Sequence, residues 1–403
     1  MDAADTGPEP VALANLDIEP ILGLPAVLRL TVGELKEFVR QTHTKTDLAT
    51  LCMQMYYVLM ALSQDAFALD MQARALRLRR VYRITGPARP RLRLLAFMAQ
   101  GNMLNNAPLD FMVAHNGIAL DLVYVLPDEP LPQPLPAHDV AMVAIGENAA
   151  QRHLLEDLQA LLQRWPRPVV NAPLHVLHCA RDRACALLQG IPGLHYPHTL
   201  RVAAHAPLPM DFPLTLRPVD SQGGNGLERL FHADELAAYY ARHPANSYYV
   251  ARYQEYQSDD GQYRKMRLLL IDGRPFLCHL AISPHWIVHY QSAGMENSAA
   301  KRAEEERAMA DFEHGFARRH GAALAQLAQR LALDYVTVDC CELRDGTLLV
   351  FEVDSRGLVH AADPQDLYPY KPAAMQKAFD AFAQALEQRV VAGINGLAGP
   401  VPG

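Results

Sequence analysis

The 403-residue sequence lacks several features that would place it in a class at once. No apolar run is long enough to span a bilayer, so no membrane role is expected. Positive charge is not in surplus. The formal net charge of -7 argues against a nucleic-acid partner, because such proteins are more often basic. The opening "MDAADTGPEPVALANLDIEP" has no basic start followed by an apolar stretch, so no signal peptide is expected. None of the six cysteines forms a Cys-x-x-Cys pair. Cys340 and Cys341 are neighbours in an expected strand and point to opposite faces, and the set reads as reduced thiols of a cytoplasmic protein. Neither a dinucleotide glycine fingerprint nor a P-loop is present.

What is present is ordinary soluble composition, half hydrophobic and one-fifth charged, in a chain long enough for two or three domains. Residues 1–87 read as a flexible leader and a helical N-terminal subdomain, faintly like a tetratricopeptide hairpin. "TVGELKEFVRQ" offers Thr31 and Glu34 at capping-box spacing. From 88 to 172, apolar strands such as "RLRLLAFMA" and "ALDLVYVLP" alternate with helical patterns, which predicts a Rossmann-like parallel sheet. Residues 173–395 form the remaining domain, with hairpins up to about 289, a long charged helix, a second hairpin and a closing helix. The class expected is α/β and α+β.

The second hairpin, "DYVTVDCCELRDGTLLVFEVDSRG", carries Asp339, Glu352 and Asp354 inside apolar runs. With Asp345-Gly346 as a two-residue turn, Asp339 falls directly opposite Glu352, with Cβ atoms roughly 5 Å apart. Glu352 and Asp354 share a face. Three carboxylates on one patch repel one another, and a divalent cation removes the conflict; hard oxygen ligands suit Mg²⁺. A solvent-facing hairpin with merely exposed acids is the alternative, weakened by the apolar neighbours "LLVFEV".

Upstream, "RPVDSQGGNGLERL" sets Gly223, Gly224 and Gly226 in a loop able to turn backbone N–H groups toward phosphate oxygens. Arg217 precedes the loop. Lys265 and Arg267 begin a later strand, and Arg267 suits bidentate recognition of an anion. His285 and His289 alternate in "CHLAISPHWIVHY" and are candidates to face a substrate.

The order of these motifs over about 91–390 resembles the ATP-grasp superfamily, in its glutathione synthetase and ribosomal-protein glutamate ligase branch. The resemblance implies an ATP-grasp domain of two lobes preceded by the Rossmann-like domain. It implies ATP held by Arg183, Arg217, Ser221, Gln222, Gly223, Gly224, Gly226 and Lys265. The hinge residues Tyr253, Gln254, Glu255 and Tyr256 would lie on the adenine and ribose side. Mg²⁺ would be held by Asp339, Glu352 and Asp354, with Asp354 in place of the usual asparagine. Arg267 and His289 would serve as catalytic residues. Arg183 and Arg217 stand where the family has lysines, and histidines stand where it often has a second arginine. The implied activity is an ATP- and Mg²⁺-dependent ligase that activates a carboxylate as an acyl phosphate and joins it to an amine. The substrate would be a small molecule or a peptide, and a homodimer is one oligomeric option. A phosphotransferase, a non-catalytic nucleotide-binding module and a protein-interaction role of the N-terminal helices are the rival readings.

Overall fold

The structure, a computed structural model, describes residues 11–114, 116–219, 221 and 223–397. The chain divides into two compact units, one of residues 1–145, 153–172 and 382–403, the other of residues 146–152 and 173–381. The α/β and α+β class expected from the sequence is the class found.

In the first unit the sheet holds six strands: β1 (Pro20–Ile21), β2 (Val81–Ile84), β3 (Leu92–Ala99), β4 (Ile118–Val125), β5 (Val140–Val143) and β6 (Val169–Val170). Their order is β1-β2-β4-β3-β5-β6, parallel throughout except for the antiparallel step between β2 and β4. Every residue of β4 is buried, as a sheet covered on both faces requires. Asp121 on that strand is tolerated because Arg83 grips it at 2.6 and 2.9 Å.

The helical N-terminal region does not stand apart from this sheet. Thr31 and Glu34 form the expected capping box at the start of helix α1 (Val32–Lys45). Helices α2 (Leu48–Ala61) and α3 (Asp65–Leu78) follow, and residues 81–84, expected to continue the helical pattern, instead form β2. A four-residue apolar stretch after a helix has no period of its own, so only pairing with β4 reveals it as a strand. Polar side chains then tie the helices down. Gln54 accepts from Leu22 N at 2.7 Å, Tyr56 donates to the Gly101 carbonyl at 2.9 Å, and Gln72 accepts from Gly101 N at 2.8 Å.

The second unit contains two sheets. The smaller is antiparallel, in the order β8 (Thr199–Ala203), β11 (Ser247–Arg252), β9 (Leu214–Pro218), β10 (Glu228–Leu230), over a core that includes Leu214, Leu216, Tyr239, Tyr248 and Val250. The larger runs β13 (Arg274–Ser283), β12 (Tyr263–Ile271), β14 (Tyr335–Glu342), β15 (Leu348–Asp354), β7 (Leu194–His195), with only the last step parallel. Helix α7 (Phe316–Leu331) buries Leu324, Leu327 and Leu331. All six cysteines are free and buried, and no helix among the described residues is long and apolar enough to cross a membrane.

Asp110, in the first unit, is a buried acid with a testable consequence. Its carboxylate accepts from Leu24 N at 2.8 Å and Phe111 N at 3.1 Å, yet burial lifts it to about 6. The folded state therefore holds this proton more tightly than the unfolded chain, whose aspartates titrate near about 3.9. Stability falls as pH rises between those values. Asp110→Asn should accordingly gain about 2–3 kcal/mol on wild type between pH 4 and pH 7 in urea unfolding. A difference that does not change with pH would contradict the burial argument.

Candidate functional site

The β14–β15 hairpin brings Asp339 opposite Glu352, as the sequence suggests, but by a different route. The turn is a three-residue loop. Leu343 N donates to Thr347 O at 2.8 Å and Gly346 N to Leu343 O at 2.9 Å, with Gly346 at φ +82. A type I turn closed by a left-handed glycine is the usual form of such a loop. It shifts the register by one residue relative to a two-residue turn. A bulge at Phe351, between the pairs Cys340–Val350 and Asp339–Glu352, shifts it back. Asp272-Gly273, between β12 and β13, is the true two-residue turn, with both residues at positive φ.

Register extends the pairing into a row across the sheet. His279 lies opposite Arg267, Arg267 opposite Asp339, and Asp339 opposite Glu352. Opposed residues share a face, so two basic residues and then two acids stand along one line, with Arg267 and Asp339 meeting at its middle. Asp339, 4% exposed, accepts from Arg267 Nε at 2.8 Å and Nη2 at 3.0 Å, and from Lys265 Nζ at 3.0 Å. Burial pushes its pKa up, but the Arg267 and Lys265 charges outweigh it and hold the carboxyl well below the usual range. Arg267 also donates to the Leu358 carbonyl at 3.2 Å.

Glu352 pairs with Arg181 Nη2 at 2.7 Å, and Arg181 Nη1 reaches the carbonyl of the bulged Phe351 at 3.1 Å. Burial opposes ionisation of Glu352; Arg181 and Arg217 overcome it and lower the pKa. Asp354 bonds Arg356, at 2.9 Å through the backbone N–H and 3.3 Å through Nε. Burial dominates there and raises its pKa.

The basic residue facing the hairpin from helix α5 (Arg181–Leu188) is Arg181. Arg183, expected among the residues that hold ATP, lies two residues on, roughly 200° round the helix, and makes none of these ion pairs. The sequence "RDRACAL" shows both arginines near a helix start and cannot choose between them. Arg356 was missed entirely; it follows the acids by two residues and had no pattern to mark it.

Arg217 is 8% exposed. Among the described residues its guanidinium hydrogen-bonds to Ser221, from Nε to the hydroxyl at 3.1 Å and from Nη2 to the backbone carbonyl. No carboxylate among the described residues pairs with it. Burial, then the neighbouring Arg181 charge, pulls it down to about 10. A desolvated guanidinium beside a second guanidinium is costly unless an anion joins them. Ser221, Arg181, Glu352, Asp354, Arg356 and Glu147 line one small open cleft.

The glycine loop borders Arg217. Gly223, Gly224 and Gly226 all have positive φ, at +59, +76 and +66. At 224 there is also no room: a Cβ would fall 2.4 Å from His289 Nε2. That nitrogen is buried and has no hydrogen-bond partner among the described residues. Burial, then Lys265, lowers the His289 pKa and keeps the ring neutral near pH 7. His285 is exposed. Gln222 lies outside the described residues.

The hinge is folded on itself. The Glu255 carboxylate accepts from Tyr256 N at 2.9 Å, Gln257 N at 3.0 Å and the Tyr253 hydroxyl at 3.2 Å. Gln254 donates to the Glu255 carbonyl at 3.1 Å, and the Tyr256 ring packs against Phe351 with centroids 4.8 Å apart.

The resemblance also implies magnesium. Carboxylates are the right kind of donor, but here each is tied to its own basic side chain. No group of three or more His, Cys, Asp or Glu among the described residues could hold a metal ion. In this arrangement the residues do not fit a magnesium site.

No family model matches the chain, and no curated protein matches it. Among solved structures it is similar to a D-alanine–D-alanine ligase from Bacillus anthracis complexed with ATP, at 16% identity and TM-score 0.43, covering 75% of this chain and 97% of that one. A D-alanine–D-alanine ligase from Coxiella burnetii matches at 8% identity and TM-score 0.47, over 76% and 98%. A RimK domain protein ATP-grasp from Sphaerobacter thermophilus matches at 17% identity and TM-score 0.40, over 73% and 99%.

Because Arg217 is buried without a carboxylate partner among the described residues, Arg217→Met should raise the unfolding temperature of the ligand-free protein in calorimetry. A clear fall would show that its bonds to Ser221 outweigh the stranded charge. The likeness to these ligase structures is one of fold.

Proposed function

We propose that this chain is an ATP-dependent ligase that activates a substrate carboxylate as an acyl phosphate and joins it to an amine. The observation that carries the reading is Arg217: a buried guanidinium with no acid partner among the described residues, close to Arg181 and at the foot of a loop of left-handed glycines. Such a place suits a polyphosphate. It supplies fixed positive charge together with backbone that can approach the oxygens closely.

Phosphoryl transfer asks a protein mainly for positioning and charge stabilisation. Arg217 and Arg181 would hold the terminal phosphates, and the glycine loop would cover them and exclude water from the acyl phosphate. Lys265 and Arg267 lie farther along the same row, fixed by Asp339. The guanidinium N–H groups that Arg267 does not spend on Asp339 and Leu358 would stabilise the transferring group. His289, neutral and with a buried nitrogen that has no partner among the described residues, is the proposed base for the incoming amine. The adenine and ribose would lie along Tyr253, Gln254, Glu255 and Tyr256. An amino acid or peptide is the proposed substrate class.

In a thermal-shift titration, ATP should stabilise the wild-type chain and leave Arg217→Met unmoved. With a mixture of amino acids and peptides, ADP release should depend on both a carboxylate and an amine. It should also yield a product whose mass equals the two minus water. No shift with ATP in wild type would remove the nucleotide reading. A phosphorylated product without an amide would instead show a phosphotransferase.

A further inference from the structure

Two bulges frame the row that crosses the larger sheet. The one at Phe351 brings Glu352 opposite Asp339. The other lies at Cys278, between the pairs Leu268–Leu277 and Arg267–His279. In unbroken register Cys278 would stand opposite Arg267, and His279 would point to the other face. The extra residue therefore re-aims one side chain, His279, onto the line of Arg267, Asp339 and Glu352.

A buried network holds that side chain. The imidazole packs against the Tyr290 ring, with centroids 4.6 Å apart. Lys371, 2% exposed, bonds the Tyr290 hydroxyl, lies 4.0 Å from the centroid of the same ring, and pairs with Asp363 at 3.2 Å and Glu305 at 3.4 Å. Glu305, fully buried, accepts from the Tyr370 hydroxyl at 2.6 Å and from the backbone N–H of Leu280, the residue after His279, at 3.0 Å. These groups bond one another, and the half-buried His279 is left out. Neither of its ring nitrogens has a hydrogen-bond partner among the described residues. Burial, then the Arg267 charge, lowers its pKa, so near pH 7 the ring is neutral and keeps one acceptor nitrogen.

Position along the row says what that nitrogen meets. Arg181 and Glu352 stand at one end, Arg267 lies two strands on, and His279 lies one strand beyond Arg267. With the phosphates at the first end and the transferring group at Arg267, the group that attacks the acyl phosphate comes next. An anion there would turn to the guanidinium, whereas a neutral imidazole nitrogen suits an N–H.

We infer that His279 receives the amine co-substrate, accepting one of its N–H groups and turning its lone pair toward the acyl phosphate, with the Lys371 network keeping the ring in place. The inference rests on the ligase reading above. In the step it serves, the C–N bond forms and the C–O bond to phosphate breaks. Phosphate leaves with the electron pair, and the amine proton goes to His289.

The test uses hydroxylamine as the amine probe. The full chain is given ATP, a mixture of amino acids and dipeptides, and graded hydroxylamine, and hydroxamate is measured. His279→Phe keeps a ring against Tyr290 and removes the acceptor. Its KM for hydroxylamine should rise at least about tenfold, the worth of one hydrogen bond, while its KM for ATP and its thermal shift with ATP stay at wild-type values. Circular dichroism checks that it folds; if it does not, His279→Met takes its place. An unchanged KM for hydroxylamine, or a lost thermal shift with ATP in the folded variant, overturns the inference and leaves the ligase reading standing. No hydroxamate from wild type sinks that reading and the inference with it.

Discussion

The second unit depends on one buried interaction, the clamp of Arg267 and Lys265 on Asp339 at the centre of the larger sheet. A carboxylate at 4% exposure cannot stand there alone. Stripping a buried pair of one partner costs about 3–5 kcal/mol, because the other charge is left stranded. The clamp also sets positions. It fixes β12 against β14 at the point where the row reaches Glu352. Through the Leu358 carbonyl it ties down the segment that follows β15. Beyond the row, Arg181 lines the cleft while paired with Glu352, and Arg217 is bonded to Ser221 on the cleft wall.

That division between spent and unspent charge gives the site its character. The acids are paired within the protein, whereas Arg217 has no carboxylate partner among the described residues. A protein keeps a costly desolvated cation where a ligand repays it, and stability and function then pull in opposite directions. The glycine loop shows the same tension. Gly224 is forced by positive φ and by the His289 ring, so the loop has given up side chains to lie close to the site.

Much of this was legible in the sequence, unevenly. The opposition of Asp339 and Glu352 was read from a two-residue turn that does not exist. The three-residue loop and the bulge at Phe351 each shift the register by one residue, and the shifts cancel. Pattern reading has no access to a bulge, because the extra residue looks like any other apolar position. The partners of the acids were not legible. Lys265 and Arg267 were marked for phosphate but are bound to Asp339, and Arg181 rather than Arg183 faces the hairpin. Such pairings join residues far apart in the chain, and a single sequence does not record them. The strand at Val81–Ile84 escaped notice for a similar reason, since β2 shows itself as a strand only by its pairing with β4.

The most direct test of the account is a crystal structure of the full chain with a non-hydrolysable ATP analogue. The account predicts the terminal phosphates within hydrogen-bond distance of both Arg217 and Arg181, under the Gly223–Gly226 loop, with Asp339 still clamped by Arg267. An analogue bound elsewhere, with Arg217 still bonded to Ser221 alone, would contradict it.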